Sequence, residues 1–527
     1  MAMGKRFVSL LLCLALLCLC AGCGGYQADG SFTYLLPQNV TSLDPQTAAA
    51  AASGMVIDSL FEGLCRIDED GETVPGVARR WESNQDATEF TFYLRPKAQW
   101  SNGDPVTADD FVFAITRALN PGTGSVAEDM LSLVNARAYA AGEVDASALG
   151  VYAEDEHTLV IRLEESNPDF PALTAGTHYM PCNRSYFEAC AGHYGLSSQY
   201  VISNGPFTFS SVYAWQTDPG ERSLRLTRSD TYRGDRTVQP ANVTFLIDYD
   251  DAYDQDPVQA LLEGNVDILT LPETLAQQAE EAGCGVLSLD DAVTGLLLNP
   301  RSEKLENRAL RSLFLKTLHR EDLLSRRENP VEALGVMPPC VVWNGESYYG
   351  DGARIYTQED SSAVEEIPSL LQELDLEEIP SITVLCRDDP ESIAVANGFL
   401  VAWNQVLGNA FNLEPLQEGE LQARIASGSY EAALYTLRAG GTTPYDVLRS
   451  FESTASPTLL EDETFDQTLR SLSFDLASYR EAETLLAECC VFYPIFQDAT
   501  YYAVNPDTRG ITVAPDQSVD FTGARKK

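Results

Sequence analysis

Ile382-Thr383-Val384-Leu385-Cys386 opens the stretch that decides the fold class. Its branched and apolar side chains suit a buried strand. Beyond it Ile393, Ala396, Leu400, Trp403 and Leu407 return every three or four residues, the spacing of one helix face. A strand near Leu413, a helix from Leu421 to Ala426 and a strand from Ala432 to Leu437 follow. Strand, helix, strand in succession predicts parallel pairing, because the helix must carry the chain back across the sheet before the next strand begins. The same order occurs far earlier, with a strand from Val243 to Tyr249, a helix from Val258 to Glu263 and a strand from Val266 to Leu271. Two such units, widely separated in a chain of 527 residues, predict two α/β lobes with a core each.

Working outward, two-residue alternation at Phe90, Phe92 and Leu94, and again at Leu159, Ile161 and Leu163, predicts half-buried strands. Thr107 is placed to cap a helix, with Asp110 three residues on and Phe111, Ile115 and Ala118 on one face. Leu310, Leu313, Phe314, Thr317 and Leu318 form a second stripe. Asp68 to Asp70 before Gly71 fits a hairpin turn. The alanine run from Ala48 to Ala52 reads as a helix start, or as a roomy pocket wall.

The chain carries 35 basic and 78 acidic side chains, a formal charge of −43, which repels phosphate backbones and excludes nucleic-acid binding as a function class. The acids are spread along the chain, as on a soluble extracellular surface. They also suit a cationic ligand. At the N-terminus Lys5 and Arg6 precede an apolar run from Phe7 to Cys20, too short to span a bilayer comfortably, so residues 1–22 read as a signal peptide. Leu19-Cys20-Ala21-Gly22-Cys23 resembles a bacterial lipobox, with Cys23 as the lipidated residue. It departs from the pattern at Cys20, where leucine is usual, and plain signal cleavage is the alternative.

Of 12 cysteines, eight lie beyond Cys23, and none forms a Cys-x-x-Cys pair. Cys182 and Cys190 are close enough in sequence to suggest a disulfide; the others read as small buried hydrophobes. The four histidines are scattered, and Gly-x-Ser-x-Gly, His-Glu-x-x-His and phosphate-loop motifs are absent, which argues against an enzyme and against a metal or other cofactor. A carboxylate pair for glycoside hydrolysis is left open, since sequence does not give the separation of two acids.

Several segments, in order, resemble one family. Ser42-Leu43-Asp44-Pro45 is followed by Leu60-Phe61-Glu62-Gly63-Leu64, then by Trp100-Ser101-Asn102-Gly103-Asp104-Pro105-Val106-Thr107-Ala108-Asp109-Asp110-Phe111, the most specific stretch. Ser203-Asn204-Gly205-Pro206-Phe207, Gly264-Asn265-Val266-Asp267-Ile268, Asn299 with Asn307-Arg308-Ala309-Leu310-Arg311, and Tyr493-Pro494-Ile495-Phe496 complete the set. Together they are similar to the bacterial extracellular solute-binding proteins of family 5, the oligopeptide- and dipeptide-binding lipoproteins of ABC importers. The resemblance implies an α/β, two-lobed periplasmic-binding-protein-like fold of type II, in the large peptide-binder class with an extra domain. It places lobe I in residues 23–58, 180–290 and 495–527, the extra domain in 59–179 and lobe II in 291–494. It implies capture of a peptide or peptide-like solute between closing lobes, delivery to ABC importer permease subunits, and an extracytoplasmic protein lipid-anchored to the cell membrane. A sensory or adhesive binding lipoprotein, and a binder of a metal chelate, haem or sugar, remain as alternatives.

In peptide-binding members an aromatic–small–acid motif follows the strand matching Ala432 to Leu437, and its carboxylate meets the peptide amino group. Here Leu437 stands for the aromatic and Gly440 for the acid. Asp446 is a substitute acid, or a helix-start carboxylate near the helix dipole. Gly440, Gly441 and Thr442 suit close backbone approach by an added strand. Arg438 is a carboxylate reader or a plain surface arginine. Tyr445, Asn299 and Trp343 are further ligand candidates, Trp343 reading equally as a core or loop aromatic. Gly295-Leu296-Leu297-Leu298 stands where peptide binders carry aromatic and acidic residues, so Leu297 is expected in an apolar cleft wall and the ligand is expected to have substantial apolar surface.

Overall fold

The computed structural model describes residues 30–527 except 37–38, 49–50, 124–129, 165, 216–222, 248–255, 328, 344–345, 357–359, 408–410, 440–442, 454–459 and 474. Strand β1 (Ser31–Leu36) is the first described element, and helix α1 (Ala51–Leu60) is the next. Strands β2 (Ala78–Ser83), β3 (Glu89–Leu94), β4 (Val151–Asp155) and β5 (Thr158–Arg162) form a separate sheet in the order β2-β3-β5-β4, with helix α2 (Ala108–Ala118) against it. Then come β6 (Phe207–Phe209), β7 (Ser223–Arg228), β8 (Asn242–Ile247), α3 (Pro257–Leu262), β9 (Ile268–Leu271), α4 (Glu273–Glu281) and the long β10 (Gly285–Leu298). The remainder contributes α5 (Arg308–Lys316), β11 (Thr383–Arg387), α6 (Pro390–Val406), β12 (Asn412–Leu416), α7 (Glu418–Ala426), β13 (Ala432–Arg438), α8 (Pro444–Leu448), α9 (Leu476–Cys489) and the long β14 (Phe492–Val504).

Ten strands join in one sheet, ordered β12-β11-β13-β10-β14-β9-β1-β8-β7-β6. Both expected strand–helix–strand units are present. In the later one β11 pairs in parallel with β12 and with β13. In the earlier one β8 and β9 are parallel through β1, which lies between them. Buried side chains nevertheless divide into separate cores along this sheet. One runs from Val293 to Phe496 and contains Leu296, Phe314, Trp403 and Tyr493. A second runs from Phe32 to Ala524 and contains Phe61, Trp100, Phe111 and Phe245. A small third one lies under α3 and α4. The second core is continuous from β1 into the sheet β2–β5, so the segment 59–179 packs directly onto the first lobe.

The family-like segments prove to be joints. Trp100 is fully buried, and its indole N–H donates to Asp110 (3.1 Å), whose carboxylate also accepts the Thr107 backbone N–H at the start of α2 (2.9 Å). Asn204 exchanges hydrogen bonds with the Glu62 backbone (3.1 and 2.8 Å), and a Cβ on Gly205 would lie 2.7 Å from the Leu60 carbonyl carbon. Asp267, 1 % exposed, accepts from the Thr33 N–H and the Thr508 hydroxyl and meets Lys526 (3.0 Å), binding β1, β9 and the C-terminal segment together. Gly71 sits at φ +83° in the expected hairpin turn, where a side chain is disfavoured. The expected disulfide is not formed. Cys182 and Cys190 are both buried free thiols, the Cys182 sulfur lying 3.3 Å from the Arg117 guanidinium.

Asp44 makes the strongest such joint, meeting Arg117 through both its oxygens (2.5 and 3.3 Å) with both side chains nearly buried. Removing one partner of a buried pair strands the other charge. Asp44→Ala is expected to lower unfolding stability by about 3–5 kcal/mol, measured by denaturant titration; a loss below 1 kcal/mol contradicts the assignment.

Candidate functional site: the interlobe hinge and cleft

Among the described residues only β10 and β14 carry chain from one main core to the other. They pair from Gly285↔Val504 to Leu297↔Phe492, and the register shifts between Leu289↔Thr500 and Ala292↔Asp498. Asp290 and Asp291 fall at this break, an irregularity that bends a strand and re-aims its side chains. The Asp291 carboxylate is fully buried. It accepts the Thr500 backbone N–H (2.9 Å) and hydroxyl (2.8 Å) and meets Arg438 at the end of β13 (3.2 Å). Burial pushes this carboxyl above its usual range, while Arg438 and the Thr500 donors pull it back. The Arg438 guanidinium is 48 % exposed, so it neutralises Asp291 from one side and presents its other side to solvent.

A run of neighbouring side chains continues from there. The Cys340 N–H donates to the Asp290 carbonyl (3.0 Å), and burial, with the carboxylates of Asp291, Asp290 and Asp446, pushes its thiol up to about 12. Asp446 caps α8: it accepts the Thr443 hydroxyl (2.7 Å) and N–H (3.2 Å) and faces Arg449 (3.6 Å). Tyr445, on the same helix, is 8 % exposed. Burial raises the Tyr479 phenol well above its ordinary range, and the charges of Asp446, Asp169 and Tyr445 add to the rise. Its ring meets Trp343 edge-on at 5.5 Å. Asp169 lies in the segment 59–179, so that segment approaches the second lobe here. The two lobes themselves meet where the Gln517 side chain donates to the Ala439 carbonyl (2.9 Å).

The structure therefore gathers Arg438, Trp343, Tyr445 and Asp446 near the hinge, through Asp291, Cys340 and Tyr479. Two expected contacts lie elsewhere. Leu297 is fully buried, as are Leu296 and Leu298, because β10 is a central strand with neighbours on both edges and core on both faces. The expected apolar cleft wall is thus lobe II core, and it gives no reason to expect an apolar ligand. Asn299 follows Leu298, which pairs with Ala432, whereas Arg438 pairs with Ala292. The seven-residue offset between Ala292 and Asn299 places Asn299 about 24 Å from Arg438 at ~3.4 Å per residue. There its amide donates to the Gly428 and Tyr430 carbonyls (3.1 and 2.7 Å) and accepts the Arg301 N–H (2.9 Å), a structural role. Asp446 is engaged in capping, as its helix-start reading implied. Gly440, Gly441, Thr442 and Cys23 lie outside the described residues. Asp291, Thr500, Tyr479, Asp169 and Gln517 were not anticipated. The adjacent acids Asp290-Asp291, interrupting a strand-like run that continues as Val293 to Leu298, were the one available signal.

Residues 72–458 match the model of the bacterial extracellular solute-binding proteins, family 5 Middle. The chain belongs to this family. It is similar to the dipeptide-binding protein DppE of Bacillus subtilis (strain 168), 24 % identical over 502 residues that cover 92 % of this chain and 90 % of the relative. The substrate-binding domain of an oligopeptide ABC transporter from Bacillus anthracis superposes with a TM-score of 0.76 at 22 % identity, covering 95 % of this chain and 99 % of that one. OppA of Haemophilus influenzae in complex with the peptide RPPGFSPFR gives 0.76 at 21 % identity, covering 94 % and 99 %. The expected type II periplasmic-binding-protein-like fold is confirmed. As a family 5 member the chain is a solute-binding protein and not an enzyme.

Asp291→Ala removes the acceptor of two Thr500 donors and leaves Arg438 without its counter-charge. Losses of this kind cost about 1–3 kcal/mol per buried hydrogen-bonding group. Chemical denaturation of this family 5 protein is expected to show a loss within that range or above it, and an unchanged midpoint rejects the hinge role of the carboxylate.

Proposed function

We propose that this protein is the extracytoplasmic, lipid-anchored receptor of an ABC importer, capturing a peptide or peptide-like solute between its lobes and delivering it to the permease. The observation that carries the reading is the hinge: two separately cored lobes share the β10–β14 pair, interrupted at Asp290–Asp291. Such a joint supports closure, in which a ligand gains contacts from both sides at once. The peptide-binding names of the relatives support the ligand class. Arg438 at the end of β13 is placed to read a ligand carboxylate, and the chain just beyond it, from Gly440 to Thr442, is the segment offered for backbone pairing. Trp343 and Tyr445 supply flanking aromatic surface. Lobe I is assigned to residues 23–58, 180–290 and 495–527, an extra domain to 59–179 and lobe II to 291–494. Among the described residues no helix is long and apolar enough to cross a membrane. The lipobox-like Leu19-Cys20-Ala21-Gly22-Cys23 supports a lipid on Cys23 as the attachment.

Native mass spectrometry of protein purified without refolding is expected to show a co-purified peptide mass that Arg438→Ala reduces tenfold or more. Cys23→Ser is expected to move the protein from the membrane to the soluble fraction with loss of fatty-acid labelling. A ligand-free protein that binds no member of a random peptide pool rejects the peptide reading, and unchanged membrane attachment of the Cys23 variant rejects the lipid anchor.

A further inference from the structure

Arg327 lies outside the candidate site and touches both lobes. It follows the short helix Arg320–Leu324, whose Leu323 belongs to the core running from Val293 to Phe496, and it is 11 % exposed. Its Nε meets Glu391 in the first turn of α6 (2.7 Å), and its guanidinium carbon lies 5.5 Å from the centre of the Phe496 ring. These two contacts anchor it to the second lobe. One terminal nitrogen then reaches Glu273, the first residue of α4, in the first lobe (3.0 Å). Both terminal nitrogens also meet Asp498 on β14 (3.4 Å each), the residue paired with Ala292 beside the register shift.

The break in the ladder lies between these partners. Glu391 rides on the same core as Arg327, whereas Glu273 rides on α4, which packs with Val286 and Ala503 beyond the break. A bend at the break therefore changes the Arg327–Glu273 distance and leaves the Glu391 contact as it is. Letting go is cheap: Glu273, 34 % exposed, returns to water, and the guanidinium keeps Glu391 and Asp498, so no buried charge is stranded. The same network leads to Arg438. Asp498 accepts the Thr294 hydroxyl (2.9 Å), which shares a hydrogen bond with the Thr436 hydroxyl (2.7 Å). Thr436 and Arg438 are two apart on β13, and Asp498 and Thr500 two apart on β14, so each pair shares a strand face. The lobes are in contact here, through Gln517 and Ala439, so the Arg327–Glu273 pair belongs to the arrangement in which they are together.

We propose that Arg327 is a positioning residue for ligand capture, a strap that binds Glu273 across the hinge when the lobes come together and releases it when they part. The inference rests on the closing-lobe reading above and deepens it by naming a contact that weights the two arrangements. Arg327 does not touch the ligand; it acts through the hinge and through the strands that carry Arg438 and Thr500. Ligand affinity includes the cost of bringing the lobes together, so a contact made in the closed arrangement alone raises affinity by its own share and slows release. That share is about three- to tenfold, at or above the top of the range for an exposed pair, because the guanidinium is mostly buried.

The test compares the full protein with Glu273→Gln, a change at a helix start that leaves the second-lobe contacts of Arg327 in place. Native mass spectrometry measures binding from a random peptide pool and release on dilution, and small-angle X-ray scattering measures the ligand-free proteins. Glu273→Gln is expected to bind more weakly by the factor above, to release peptide faster by the same factor, and to have the larger radius of gyration. Arg308→Gln removes an exposed pair with Glu488 inside the second lobe and is expected to change none of these. Thermal melting confirms that both variants fold. If Glu273→Gln binds and releases peptides as the parent does, or binds them more tightly, the strap is wrong and the peptide reading stands. Slower association with unchanged release also overturns the strap, since it puts Glu273 on the path of the ligand and not at the hinge. If no peptide binds either protein but the variant is the more expanded, the strap stands and the peptide reading falls. Equal scattering with no binding overturns both.

Discussion

Strands β10 and β14 run antiparallel from one hydrophobic core into the other, and their ladder is interrupted where it leaves the first and enters the second. On the lobe II side of the break the β10 side chains from Asp291 to Leu298 are buried, while on the lobe I side Gly285 to Asp290 are exposed or half-buried. The break therefore coincides with a change in what the strand packs against. A continuous ladder would resist bending, whereas two unpaired residues concentrate the flexion in one place. The buried Asp291 carboxylate then limits it, holding Thr500 of β14 and Arg438 of β13 in fixed relation. A buried carboxylate is costly unless it is hydrogen-bonded and paired, and here both conditions are met.

This constraint explains why the cleft residues gather as they do. Arg438 is the last residue of β13 and is pinned to the hinge, so the segment that follows must begin at the cleft. Asp446, eight residues on, closes that segment by capping α8, and Tyr445 on the same helix comes with it. The facing contacts arrive from two unrelated segments, Asp169 in the segment 59–179 and Gln517 in the C-terminal one, which a fold assembled from distant pieces brings against the second lobe.

Much of this architecture was legible. The units at 243–271 and 382–437 announced themselves because a parallel crossover needs a strand, a helix and a strand of fixed order, and each leaves its own hydrophobic period. The capping at Thr107 and the turn before Gly71 were legible for a similar local reason. The position of β1 between β8 and β9 was not, since pairing across more than 200 residues leaves no local pattern. Leu297 was misplaced because a central strand buried on both faces and an apolar ligand wall look the same in sequence. Asn299 was misplaced because matching a family segment says that a residue is needed without saying for what. The Asp44, Asn204, Asp267 and Asn299 side chains all turn out to satisfy buried backbone or charge, where one lost partner is expensive. Ligand-facing positions are under no such internal demand, which is why motif matching found the scaffold sooner than the site.

The acidity of the chain has two physical meanings that the composition cannot separate. Most of its acids face solvent, where attraction between charges fades over about 8–10 Å at ordinary salt. There they keep the protein soluble and add little to any one contact. The buried acids Asp44, Asp267 and Asp291 do the opposite: each meets an arginine or a lysine as well as hydrogen-bond donors, so with little water around them they hold distant segments together and add nothing to the charge of the surface.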